Sequence, residues 1–592
     1  MPNLSIRNLT VHPLELVAAE RFTGERIKTV GMLASIGGAV TNFLNATEHP
    51  SSELRVKADL AGTERRDVSF RAEAFQTVET DVVVAEAGSV DVVRLTFQTE
   101  GHRYETDVPS PSSRSAVMSK LDDGPHDLTV VYVPKHAFVA VYSSARLDAW
   151  MGELRDEWPL PSLSVPGTHN SPTCYTALPS VRCQAVGVPE QLQNGVRFLD
   201  IRVSATKDDD RLALVHSVFP ISLTGTKWFG DVLEDVYRFL DEHGSETVMI
   251  SLKREGTGKA SDGDLGRYLK DGYVAKRPDK WYTEPRVPTL GEVRGKIVLM
   301  RRFGLDDDLR AEWDGQGWGL DASAWPDNCE DGEAGSCAIR VQDFYEVSES
   351  DNIDKKVGYS HGHLERAGEH RFLLPGMDGY DEGSPRPPFY VNFLSASNFF
   401  NATCWPERIA AKVNPRVVEY LCTSHGVEGK GPNKLSIGSA GAGIVVTDWV
   451  GANGDWDLIR CIVACVRLER CKNVEGEISG NKSVRDATKL GVASNYQSGG
   501  VYYFQVAQLR KEREINQCEY KKETSHHRNG VVEKRKEFLF TYCSKTISYQ
   551  LRARHQDPAK GIHLRVVLKS GDEFSSRDPT SPTPQGLYAL LF

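Results

Sequence analysis

The residues best suited to chemistry sit one after another at the ends of short apolar runs. His169 follows "LSVPGT", Asp200 and Arg202 lie in "RFLDIRV", His216 closes "LALVH" and Lys253 closes "TVMISLK". Further on, Arg302 ends "KIVLMRR", Asp343 and Tyr345 follow "AIRVQ", Asn392 stands in "PFYVNF" and Asp448 follows "GIVVT". Two histidines can divide base and acid work, each contributing about 10²–10⁴ in rate. Arg202 and Lys253 can neutralise an anionic, phosphoryl centre whose charge grows in the transition state. A carboxylate such as Asp448 can hold one imidazole in the needed tautomer. Taken together, the set suits metal-free cleavage of a phosphodiester.

Such groups must be brought to one place. The runs that carry them read as buried strands, and several are preceded by helical patterns such as "FGDVLEDVYRFLDEHG" and "PRVVEYLCTSHG". Strand–helix alternation with apolar strands implies a parallel sheet, and this many repeats between 150 and 472 favour an α/β TIM-type (β/α) barrel, with room for irregularity. Barrel enzymes build their sites at the C-terminal ends of the strands, where these residues fall. Before the barrel, residues 1–145 hold β-rich runs such as "DVVRLTFQTE", "DLTVVYVP" and "HAFVAVYSS", which read as an all-β, sandwich-like accessory domain. One interruption there, "TVGMLASIGGAVTNFL", reads as a helix or an exposed apolar loop. Residues 475–592, with "KKETSHHRNGVVEKRKEF" and "SSRDPTSPTPQG", read as a small β-containing or partly disordered segment.

The stretch from about 150 to 470 resembles the catalytic X domain of bacterial-type phosphatidylinositol-specific phospholipases C, within the wider phospholipase C-like phosphodiesterases. The matching stretches are "SVPGTHNS", "GVRFLDIRV", "LVHS", "SETVMISLKRE", "RGKIVLMRRF", "WPDN", "VQDFY", "YVNFLSAS" and "GIVVTDWV", in that order. The resemblance implies that His169 is the general base for the inositol 2-hydroxyl, oriented by Asp448, and that His216 is the acid for the departing diacylglycerol. Arg202, supported by Asp200, would sit beside the phosphate. Lys253, Arg302, Asp343 and Tyr345 would hold the inositol ring. The products would be inositol 1,2-cyclic phosphate and diacylglycerol. Two positions depart from the family pattern. Asn170 stands where an aspartate usually pairs with the second histidine, and Ser217 stands where glycine usually follows it. An amide offers His216 no charge, which implies a lower pKa for the acid. Asn170 also resembles a calcium-ligating asparagine of the eukaryotic pattern. However, cations at Arg202 and Lys253 replace the carboxylates that calcium needs, so no metal and no cofactor is expected.

Composition sets the outer bounds. At 592 residues the chain is long enough for about three domains. With 71 basic and 81 acidic residues its formal net charge is −10, which argues against nucleic acid as a partner. No run is long enough for a transmembrane helix, and the first residues lack the basic and apolar regions of a secretory leader. A cytoplasmic protein, or one peripheral at membranes, is therefore expected, with leaderless export or a processed secreted form also compatible. The partner would be a phosphatidylinositol-type lipid at a membrane interface, and the oligomeric state is open. Trp281, Trp313, Trp318, Trp325 and Trp405 fall in predicted loops and are candidates for interfacial contact. Eleven cysteines show no zinc-type spacing beyond Cys461, Cys465 and Cys471, which no histidine completes. Pairing of Cys174 with Cys183, or of Cys329 with Cys337, is open to an oxidising compartment. Two other readings stay open: a glycolipid-binding protein with weakened catalysis, and a phosphodiesterase of this fold with another substrate.

Overall fold

In the computed structural model the described residues are 3–28, 52–56, 64–84, 90–110, 114–335, 339–347, 351–374, 379–381, 383, 387–465, 515–528, 531–542, 545–554 and 563–568. The segment "TVGMLASIGGAVTNFL", Cys337, Cys471 and "SSRDPTSPTPQG" lie outside them. The chain divides into two compact units, Met1–Gly480 and Asn481–Phe592.

The first 145 residues of the first unit form two sheets. One runs in the order Thr77–Val83, Asn3–Asn8, Phe138–Ser143, Leu128–Val133, Ser115–Val117. The other runs Ser52–Val56, Leu14–Lys28, Asp91–Thr99, His102–Val108, Ser119–Lys120, with Glu64–Ala72 also paired to Leu14–Lys28. The central strands LTVVYV and FVAVYS are mostly apolar and buried along nearly their whole length, and the two-residue period of a strand explains why. Leu128, Val130, Tyr132, Val139 and Val141 point into the core shared by the two sheets. Val131, Val133, Phe138, Ala140 and Tyr142 point the other way, onto Val413, Val417 and Leu421 of a barrel helix. Both faces of these strands are therefore covered.

The barrel sheet is built from parallel strands β1 Val165–Thr168, β2 Phe198–Ser204, β3 Val248–Arg254, β4 Ile297–Arg302, β5 Ile339–Gln342, β6 Phe389–Phe393 and β7 Ile444–Thr447. Their spatial order is β4-β3-β2-β1-β7-β6-β5. Helices α1 Val188–Gln193, α2 Phe229–Glu242, α3 Asp262–Gly272, α4 Asp351–Glu369 and α5 Pro406–Thr423 connect them. The (β/α) reading holds for this curled sheet, but the barrel is irregular. Among the described residues no ladder joins β4 to β5. Instead β4 carries the short strands Trp281–Tyr282 and Leu320–Asp321, and β5 carries the antiparallel Gly332–Ala334. The physical reason lies between β4 and β5. Among the described residues that segment has only the one-turn helices Asp307–Arg310 and Glu312–Gly315, with glycines at positive φ at Gly315, Gly317 and Gly319, and so supplies no full βα unit.

In the second unit, strands 515–528, 531–542, 545–554 and 563–568 pair antiparallel in chain order. The charged run "KKETSHHRNGVVEKRKEF" falls on the first hairpin of this sheet.

Candidate active site

Register explains how the first pair meets. Thr168 of β1 lies opposite Thr447 of β7, so His169 and Asp448 leave adjacent strand ends together. Gly167 lets the strands close up: a Cβ there would come within 3.0 Å of the Phe198 ring. The His169 N–H donates to the Thr447 carbonyl at 2.9 Å, and the Gln184 amide clamps both strands by donating to the carbonyls of His169 (2.7 Å) and Thr447 (2.9 Å). His169 Nδ1 lies 2.9 Å from Asp448 Oδ1. The carboxylate fixes Nδ1 as the protonated nitrogen, leaving Nε2 as the free base. Burial raises the Asp448 pKa, against the pull of His169, Arg202 and Lys356.

A row of cations crosses the neighbouring strands. Arg202 of β2 is in register with Lys253 of β3, which is in register with Arg302 of β4. Two carboxylates hold them. Asp200, two residues before Arg202 and therefore on the same face, is fully buried and bonds Arg202 at 3.2 Å and Arg302 at 3.3 Å. It also accepts the Asn170 N–H at 3.1 Å. Burial raises its pKa, but Arg202, Arg302 and His169 more than offset this and hold it well below the usual carboxylate range. Glu255 bridges Arg202 (3.2 Å) and Lys253 (2.7 Å). Its pKa falls to about 2, because those cations outweigh burial.

His216 ends the first strand of a hairpin, Ala213–His216 with Phe219–Pro220. Ser217 turns it at φ +54°, and its N–H donates to Glu255 Oε2 at 2.9 Å. The family's glycine at this position matches that left-handed backbone, which serine adopts here with a hydrogen bond to hold it. The His216 ring stands edge-on to His169, with centroids 5.8 Å apart. Its Nδ1 lies 2.9 Å from the Val181 carbonyl oxygen and 3.7 Å from Cys183 Sγ. Burial, then the charges of Arg202 and His169, lower its pKa to about 3. Asn170 does not hold this ring. Its amide donates to the Val215 carbonyl at 3.4 Å from a backbone at φ +39°, so the imidazole is oriented by the main chain of Val181 instead.

Across the pocket, Trp325 lies flat under Arg302, with the guanidinium carbon 3.8 Å from the ring centroid, and its Nε1 donates to Asp343 at 2.9 Å. Phe393 stands edge-on to both Trp325 and His169. Tyr345 is more peripheral: it is 36 % exposed and donates to Asp327 at 2.7 Å. Asn392 does not line this cluster. It belongs to a buried network in which Gln342 donates to its side chain at 2.7 Å and it donates to the Ser360 carbonyl at 2.9 Å. Among the described residues Asn170 Oδ1, Asp448 Oδ2 and Arg302 Nε are buried without a hydrogen-bond partner.

Sequence reasoning missed Glu255, Gln184 and Lys356, and assigned Trp325 to interfacial contact. Glu255 lies one residue beyond β3, where strand parity no longer assigns a face. Lys356, fully buried on α4, donates to Gln342 (3.1 Å) and Phe344 (2.6 Å). Burial lowers its pKa to about 7, with Asp343 and Asp448 pulling the other way. Nothing in its helical spacing separates it from a surface lysine. The tryptophan reading needs correction. Trp281 and Trp318 are core residues, 6 % and 3 % exposed, and Trp325 is a wall of the pocket. Trp313, 44 % exposed, keeps that reading, and other exposed apolar side chains are Val218 and Leu223, after His216 in the chain, and Phe399 and Phe400 after β6, with Phe399 stacked 5.0 Å from Phe219. Cys174 and Cys183 are both free thiols. The residues suited to a metal here are His169, Cys183 and His216, whose donor atoms lie within 4.8 Å of one another. That is a nitrogen–sulfur set unlike calcium's oxygen cage, and of the nearby carboxylates Asp200 and Glu255 are taken up by arginine and lysine.

Residues 157–303 match the family model for the phosphatidylinositol-specific phospholipase C X domain. The 1-phosphatidylinositol phosphodiesterase of Staphylococcus aureus (strain Newman) is 27% identical over 285 residues, 46% of this chain and 82% of the relative. That of Listeria monocytogenes is 31% identical over 172 residues, 27% of this chain and 50% of the relative. The human PI-PLC X domain-containing protein 1 is 28% identical over 187 residues, 26% of this chain and 55% of the relative. A solved phosphatidylinositol-specific phospholipase C from S. aureus is similar to 54% of this chain and 97% of its own, at 22% identity and a TM-score of 0.41. No helix among the described residues is long and apolar enough to cross a membrane.

Proposed function

We propose that the chain is a phospholipase C-type phosphodiesterase that cleaves phosphatidylinositol, or glycolipids built on it, without a metal. The observation that carries the reading is the 2.9 Å His169–Asp448 bond, with the His216 ring edge-on 5.8 Å away. His169 Nε2 takes the proton of the inositol 2-hydroxyl, whose oxygen attacks phosphorus. The bond from phosphorus to the diacylglycerol oxygen breaks, and His216 Nε2 protonates that oxygen. Because the nucleophile is part of the substrate, no water need be positioned and the phosphate leaves as the 1,2-cyclic ester. Arg202, steadied by Asp200 and Glu255, supplies positive charge to the phosphoryl oxygens. Lys253, Arg302 and Asp343 bond ring hydroxyls, and Tyr345 packs on the outer edge of the sugar.

His216 is neutral in the free protein at pH 7, so substrate must charge it. A phosphodiester anion offsets the Arg202 charge that depresses the imidazole and adds a negative neighbour; both raise its pKa. Val218, Leu223, Phe399 and Phe400 support docking on lipid, because they expose apolar surface next to the histidine hairpin and after β6.

The test is phosphorus NMR of the protein with phosphatidylinositol–detergent micelles in excess EDTA. An inositol 1,2-cyclic phosphate signal that His169→Ala abolishes is expected. Product only after calcium is added overturns the metal-free reading. Silence in both conditions moves the weight to a glycolipid-binding protein, a reading that the depressed His216 pKa favours.

A further inference from the structure

A second group of ligand-type side chains lies outside the catalytic pocket, among the β-strands of the first 145 residues. His12 follows the strand Asn3–Asn8, Glu100 sits at the tip of the hairpin Asp91–Thr99/His102–Val108, and His126 precedes the strand Leu128–Val133. His12 Nδ1 is 3.3 Å from Glu100 Oε1, and His126 Nε2 is 2.6 Å from Glu100 Oε2. The two imidazole centroids are 4.6 Å apart, and one donor atom from each of the three residues falls within 4.8 Å of the others.

We propose that His12, Glu100 and His126 form a site for a zinc-type divalent cation. Two imidazoles and one carboxylate are a three-ligand zinc set whose fourth position goes to water. The side chains are 31 %, 47 % and 25 % exposed, so water reaches that position. The nitrogen-rich set selects against calcium and magnesium, which prefer oxygen.

Local structure holds the ligands in place. Thr99 pairs with His102 across a two-residue turn, which puts Glu100 at φ +48° and Gly101 at φ +85°. Glycine, asparagine or aspartate ordinarily fills the first of these positions, and glutamate there gives up turn propensity to keep a longer carboxylate arm. The Thr99 hydroxyl donates to the Pro13 carbonyl at 2.8 Å, tying the turn to His12. The Asn8 amide (2.7 Å) and Thr10 hydroxyl (3.0 Å) donate to the His12 carbonyl. A bound ion would join the hairpin of one sheet to loops of the other, so binding must raise thermal stability.

The test uses the full chain, stripped with EDTA and titrated with ZnCl2, CaCl2 or CoCl2. Zinc is expected to raise Tm and calcium to leave it unchanged. Cobalt is expected to give the visible absorption of a four-coordinate ion. His12→Ala and His126→Ala should each weaken binding at least ~10-fold while keeping the wild-type Tm in EDTA. No zinc effect on Tm overturns the proposal. So does an effect that survives both histidine variants and vanishes in Cys183→Ser, which would assign the ion to the catalytic pocket.

Discussion

In the proposed mechanism the charge state of His216 governs the rate. Its pKa of about 3 lies far below the ordinary 6.5, with burial the largest cause. A phosphate ligand beside Arg202 should raise it, and NMR titration of the His216 ring with and without inorganic phosphate checks this. An unchanged pKa would remove His216 as the acid. The same depression affects folding. Between pH 6.5 and about 3 the unfolded chain binds the proton and the folded chain does not, so stability falls as pH drops through that window. His216→Gln should flatten part of this slope in acid denaturation. Asp448→Asn should keep the fold and lower kcat by about 10²–10⁴, because the amide no longer enforces the Nδ1–H tautomer. Glu255→Gln should raise KM or lower kcat, since Arg202 and Lys253 lose the carboxylate they share.

Among the elements, the histidine hairpin has the narrowest tolerance. Ser217 holds a left-handed backbone at φ +54°, so Ser217→Gly should be neutral or stabilising by up to about 1 kcal/mol, and Ser217→Val should destabilise. Thermal unfolding and activity measured together distinguish a lost fold from a misaimed His216. The strands β1, β2, β3, β4 and β7 behave differently. Their register aligns His169 with Asp448 and puts Arg202, Lys253 and Arg302 in one row, so their site residues were readable from position at a strand end. Glu255 and Trp325 lie past strand ends, where loop geometry alone sets direction, and no periodicity marks them.

At the scale of the whole molecule, residues 1–145 and the barrel share apolar surface. Tyr142, Phe138 and Val131 pack with Val413, Val417 and Leu421 of α5. A fragment starting at residue 146 should therefore aggregate or unfold at lower temperature than the full chain, as light scattering during thermal unfolding would show. Membrane engagement belongs to this scale too. Phe400 is 94 % exposed, and Phe400→Ser combined with Val218→Ser should lower activity on vesicles while sparing a soluble inositol phosphodiester. Equal loss on both substrates would mean that these side chains act inside the pocket.

Sequence alone determined the alternation of apolar runs and helices, and hence a parallel sheet. It also determined which charged residues end those runs, because strand termini are where a polar side chain escapes the core. Only the tertiary structure decided that, among the described residues, no ladder joins β4 to β5 and glycine-rich chain stands where a helix would be expected. The third dimension also decided that Val181, and not Asn170, orients His216, and that Glu255 joins two cations and the Ser217 turn. Apart from Lys253–Glu255, those contacts link residues far apart in the chain, and their energies depend on burial and distance that no local pattern encodes.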